Sequence, residues 1–137
     1  MATPKQTNVL ALPLVTMTVA TGTNEDWIDT LKFVVSSGEA VTDYTDLPQL
    51  DLRGITFEME IRRSSPDHEV ILSASTKDGR MIIGTPPDYG FLIINVLHSE
   101  MKLKRPGSYV GDIVASDDIN SRVCVQIALT IVEGITR

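Results

Sequence analysis

An all-β domain is the fold this sequence predicts, and three observations carry the prediction. Apolar and polar residues alternate strictly in several places, most clearly where Ile55, Phe57, Met59 and Ile61 are set against Thr56, Glu58, Glu60 and Arg62. A period of two is the mark of a half-buried strand. The alternating runs are short and are separated by clusters of Gly, Pro, Ser and Asp, residues that favour turns. Between them there is no convincing helical period. Alternating strands serve a sandwich and a barrel alike, so both architectures stay open on this ground.

The strands are expected at about 13–20, 28–35, 54–63, 68–75, 80–84, 89–97, 108–115 and 122–133. The run Val9 to Ala20, with Lys5 before it, has some of the look of the apolar centre of a signal peptide. Pro13, Thr16 and Thr18 interrupt it, and Val15, Met17 and Val19 alternate with Thr16, Thr18 and Ala20, which fits a first strand better. The strand at 54–63 follows a polar turn, Asp51 to Gly54, and ends where Pro66 removes a backbone donor. The Asp78-Gly79 pair predicts a tight hairpin, because Gly takes positive φ readily. Thr85-Pro86-Pro87-Asp88 and Arg105-Pro106-Gly107 are expected as external connections. In the last strand Val123, Val125, Ile127, Leu129 and Ile131 share one face. Cys124 falls on the opposite, more polar face, where solvent or a neighbouring subunit would meet it. Phe57, Met59, Ile61, Val125, Ile127 and Leu129 are the expected inward set. Residues 36–50 lack a sustained period and read as a long excursion of the kind that often carries contacts.

With 137 residues, the chain has the size of a single domain, 1–137, with a flexible tail of about eight residues at its N-terminus. Its apolar runs fall well short of the roughly 20 residues a spanning helix requires, so a soluble protein without membrane insertion is expected. A net charge of −6 disfavours a nucleic-acid partner, and Lys102, Lys104 and Arg105 read as solvated charge. The single cysteine excludes an internal disulfide and points to a reducing compartment.

Searching for chemistry yields little. His68 and His98 have no partner at a metal-motif spacing, and neither a nucleophile elbow nor a glycine-rich phosphate loop occurs. Glu39, Asp43, Asp46 and Asp51, with Asp117-Asp118, read as turn-forming and solubilising acids and not as a calcium loop. No catalytic residue, cofactor or metal site is expected. Trp27 and Tyr44 are the candidate ligand or partner contacts, since exposed aromatics on a sandwich can stack on sugars. Against this, Trp27 opens a period-two run with Leu31, Phe33 and Val35, which favours packing in the core or against a subunit.

Taken in order, Asp51-Leu52-Arg53-Gly54-Ile55-Thr56-Phe57, Met59-Glu60-Ile61-Arg62, Thr76-Lys77-Asp78-Gly79, Gly90-Phe91-Leu92-Ile93, Pro106-Gly107-Ser108-Tyr109 with Asp112-Ile113, and the Val-rich last strand resemble a known family. It comprises small phage and prophage immunoglobulin-like tail proteins similar to the N-terminal domain of the phage baseplate upper protein. The resemblance spans about residues 27–133; the leading strand at 13–20 and the excursion at 36–50 depart from it. It implies an immunoglobulin-like antiparallel β-sandwich of about seven to nine strands. It also implies a non-enzymatic structural or assembly role in a phage tail, baseplate or fibre. Other tail or virion proteins and further copies of the chain are the implied partners, and the virion, assembled in the bacterial cytoplasm, the implied location. The alternative is a carbohydrate- or receptor-binding module using the 36–50 excursion and the Pro86-Pro87 loop.

Overall fold

The computed structural model describes residues 9–12, 14–33, 49–63 and 69–134. The N-terminal eight residues, most of the 36–50 excursion including Tyr44, and His68 lie outside the described residues.

Among the described residues eight strands follow one another: β1 (Val15–Gly22), β2 (Trp27–Lys32), β3 (Thr56–Arg62), β4 (Val70–Ser75), β5 (Met81–Ile83), β6 (Phe91–Val96), β7 (Gly107–Ser116) and β8 (Ser121–Val132). They form a five-stranded sheet in the order β1-β8-β7-β3-β4 and a three-stranded sheet in the order β2-β6-β5. The architecture is therefore a sandwich. With β2, β3, β5, β6, β7 and β8 as the B, C, D, E, F and G strands, B-E-D lies in one sheet and G-F-C in the other, which is the immunoglobulin arrangement, and β4 extends the second sheet beyond C. All pairs are antiparallel except β1 and β8, which run parallel from Val15↔Val125 to Gly22↔Val132. The constant-type arrangement places the first strand beside B; here it lies beside the last strand, and the Thr23–Asp26 turn carries the chain across to β2.

The core follows from the alternation. Phe57, Met59 and Ile61 on β3 and Val125, Ile127 and Leu129 on β8 are all buried, as are Leu92, Ile94 and Val96 on β6 and Ile113 and Ala115 on β7. The Phe33 and Phe57 rings meet at a centroid distance of 5.9 Å. Tyr109, near the start of β7, donates its hydroxyl proton to the Arg105 carbonyl four residues upstream, the tyrosine corner of immunoglobulin-like domains. Two residues later, where such domains often carry a cysteine, stands Gly111. A Cβ there would lie 2.4 Å from the Glu60 carbonyl oxygen and 2.4 Å from the Ile61 side chain, so the β7–β3 approach requires glycine.

Three features correct or extend the sequence reading. The Asp78-Gly79 turn has the expected positive φ, 83° at Gly79, but it closes no hairpin. β4 belongs to the large sheet and β5 to the small one, so the turn is a corner between layers, fixed by Asp78 accepting from the Ser75 and Arg80 amides at 3.1 and 2.8 Å. Cys124 is buried and not on the polar face, because Ile113 pairs with Val125 while Val114 pairs with Val123. The extra residue is a β-bulge that reverses the alternation, leaving Val123 37% exposed and turning Cys124 inward. Two short helical turns also accompany the strands. A 3-10 turn at Val9–Ala11 brings buried Val9 and Leu12 to the core, and α1 (His98–Met101) buries Met101.

Candidate functional site

The register of the five-stranded sheet builds its outer face in rows. Thr16, Gln126, Asp112 and Glu60 lie side by side across β1, β8, β7 and β3; Thr18, Ala128, Val110 and Arg62 form the next row, and Ala20, Thr130 and Ser108 a third. The face thus divides lengthwise. On β1 and β8 these outward residues are all exposed and uncharged. On β7 and β3 they include both carboxylates and a guanidinium.

The charged half forms a shallow depression of about 440 Å³ lined by Glu60, Arg62, Val110, Asp112 and Gln126. Arg62 is ion-paired with Glu60 at 2.6 Å. Partial burial, and then the facing Glu60 carboxylate, hold the Asp112 carboxyl above its ordinary range, with Arg62 opposing the shift. The depression offers hydrogen-bond acceptors and the Arg62–Glu60 ion pair beside a neutral strip. The polar phase of β3 was visible in the sequence. Asp112 as its neighbour was not, because that requires knowing which strand pairs with β3.

The residues singled out from the sequence fall elsewhere. Trp27 is only 2% exposed, and its indole N–H donates to Asp29 Oδ2 at 2.7 Å. It opens β2 facing the core and presents no ring to a ligand, which corrects its candidacy as a contact residue. Cys124 places its thiol 3.5 Å from the Ile113 carbonyl, and burial pushes its pKa up to about 11, so the thiolate is scarce at neutral pH. His98 opens α1, and both its backbone N–H, at 2.6 Å, and Nδ1, at 2.9 Å, contact Asp26 Oδ1. Lys104 reaches the Ile71 carbonyl. Asp51 holds Arg53 at 2.7 Å, with the guanidinium stacked 3.9 Å over the Tyr89 ring. Asp117 accepts from the Ile119 and Asn120 amides at 2.8 and 2.6 Å, the turn-forming role expected of it. Among the described residues, no three His, Cys, Asp or Glu side chains are grouped so as to hold a metal ion.

The end of the long excursion is fixed by the opposite loop. Leu50 N–H donates to the Phe33 carbonyl at 3.0 Å, and Gln49 accepts from the Gly90 amide at 3.0 Å while donating to Asp88 at 3.3 Å. Gln49, at the described end of the excursion, therefore meets Asp88 and Gly90 just after the Pro86-Pro87 loop.

Comparison with protein-family models and with curated proteins finds no match to the chain. The strand order and the face just described define an immunoglobulin-like sandwich with a half-neutral, half-charged sheet surface.

Proposed function

We propose that this protein is a non-enzymatic structural or assembly component of a phage or prophage tail, baseplate or fibre, acting through protein–protein contacts in the virion. The observation that supports the reading is the exposed, uncharged strip formed by β1 and β8 on a chain whose net charge is −6. An exposed, uncharged strip lined with Thr, Ala and Gln opposes less desolvation cost to another protein surface than a charged one would, whereas the overall charge works against a phosphate backbone. The family resemblance supplies the tail context. The alternative of sugar recognition is weakened by the burial of Trp27, since a stacking platform needs an exposed ring.

The test is recovery of the chain in purified tail particles by quantitative mass spectrometry. A fixed ratio to a tail-tube protein is the expected result. Its absence from intact particles would rule the reading out.

A further inference from the structure

Resting on that reading, we propose that the outer edge of β1 pairs with β1 of a second copy of this chain. The two strands run antiparallel across a two-fold axis and join two five-stranded sheets into one continuous sheet.

The argument begins with the four edges of the sandwich. Open edges template unwanted pairing, and monomeric proteins blunt them with short strands, charges, bulges or covering groups. β5 has only three residues. β2 carries Asp29 and Lys32. On β4, Arg80 donates to the Ser73 carbonyl at 3.2 Å and Lys104 to the Ile71 carbonyl, and its register against β3 slips between Ile61 and Arg62. β1, with the sequence Val-Thr-Met-Thr-Val-Ala-Thr-Gly, runs eight residues without a charge, and its pairing with β8 is in unbroken register. Among the described residues it carries the least of the four: the Glu25 carboxylate accepts from the Gly22 amide at 2.7 Å and so covers only the last residue of the strand.

Charge identifies the occupant. Two copies of a chain at −6 repel unless they meet where charge is remote. Across a β1–β1 seam, the first charges on the sheet face are those of β7, beginning with Asp112. From β7 of one copy to β7 of the other are five strand spacings of about 4.8 Å, roughly 24 Å in all, about three Debye lengths at physiological salt. Strand direction follows from the same consideration. β1 leads into the acidic Glu25-Asp26 turn; parallel pairing would set the two acidic turns side by side, whereas antiparallel pairing sets each beside the other copy's exposed Leu14 and Val15. A two-fold, self-complementary interface of this kind closes on itself.

The test is light scattering of the full chain over a concentration series, with Thr18→Lys on the exposed face of β1 and Ser73→Lys on β4 as control, both checked for folding by circular dichroism. The wild type should dimerise, Thr18→Lys should raise the dissociation constant at least tenfold, and Ser73→Lys should leave it unchanged. A wild-type monomer at every concentration overturns the proposal. So does a dimer that Ser73→Lys weakens as much as Thr18→Lys. Hydrogen exchange of the wild type is the second measurement and needs no variant to fold: protection of β1 amides should rise with concentration. Equal protection at all concentrations would mean that another part of the same chain covers the edge, and would also overturn it. A monomer would not decide the tail reading, which stands or falls on particle recovery.

Discussion

The Cys124 thiol lies 3.5 Å from the carbonyl oxygen of Ile113, at the point where β8 gains one residue over β7. The bulge converts a surface position into a core one. Burial removes solvent from the sulfur and pushes its pKa up to about 11, so both access and ionisation oppose reaction. Under native conditions near pH 8, modification by a thiol-specific reagent should be at least about tenfold slower than that of a model thiol with its ordinary pKa near 8.5, and denaturant should restore the rate. Rapid stoichiometric labelling of the folded protein would show that the bulge does not turn this residue inward.

Phe57 is fully buried and meets Phe33 across the interior at 5.9 Å. Phe57→Ala therefore removes both transferred surface and an aromatic contact, leaving a cavity that the surrounding strands fill only in part. A loss of about 3–5 kcal/mol is expected in urea denaturation at constant m-value. A negligible change in the midpoint would mean that the opposite face of β3 is the buried one.

Two aspartates give pH dependences of opposite sign. Hydrogen bonds from the His98 backbone and then from its side chain hold the Asp26 carboxyl below its ordinary value of 3.8. This contribution to stability is present above that value and is lost as pH falls through the lower folded pKa. The Asp112 carboxyl is raised by burial and then by Glu60. Its ionisation opposes folding at neutral pH, and the penalty disappears as pH falls through its folded pKa and below 3.8. In thermal melts, Asp26→Asn should lower Tm at pH 7 and the deficit should shrink in acid. Asp112→Asn should raise Tm at pH 7, with the gain shrinking in acid. Both variants shifting in the same direction at neutral pH would contradict the assignment.

The alternation of apolar residues made all eight strands legible, because a strand with one wet face records its burial at every second residue. Phe57, Met59 and Ile61 needed no partner to be identified as core. What one strand meets is not written in its own period. Asp78-Gly79 has hairpin chemistry whether the chain doubles back or crosses to the other layer, and only the pairing of β5 with β6 decides it. The bulge at Cys124 escaped for the same reason, since β8 alternates without interruption and the extra residue exists only relative to β7. Trp27 was readable as core from its run with Leu31 and Phe33, and the structure favours that reading over a surface platform. The uncharged composition of β1 was equally plain. Its place at the edge of a sheet, beside the last strand, was not, because almost the whole chain separates β1 from β8.

Tyr109 ties the start of β7 to the connection that follows α1 by donating its hydroxyl proton to the Arg105 carbonyl. Its ring is almost entirely buried, so Tyr109→Phe preserves packing and deletes only the donor. A hydrogen bond of this kind contributes about 1 kcal/mol net, and removing the hydroxyl leaves the carbonyl to find water instead. Tyr109→Phe is therefore expected to lower unfolding stability by about 1 kcal/mol in denaturant titration. Tyr109→Ala should cost several times more by emptying the space the ring fills. If the two substitutions cost the same, the hydroxyl and not the ring would be the main contribution of this residue. If Tyr109→Phe is neutral, the corner is held by packing alone.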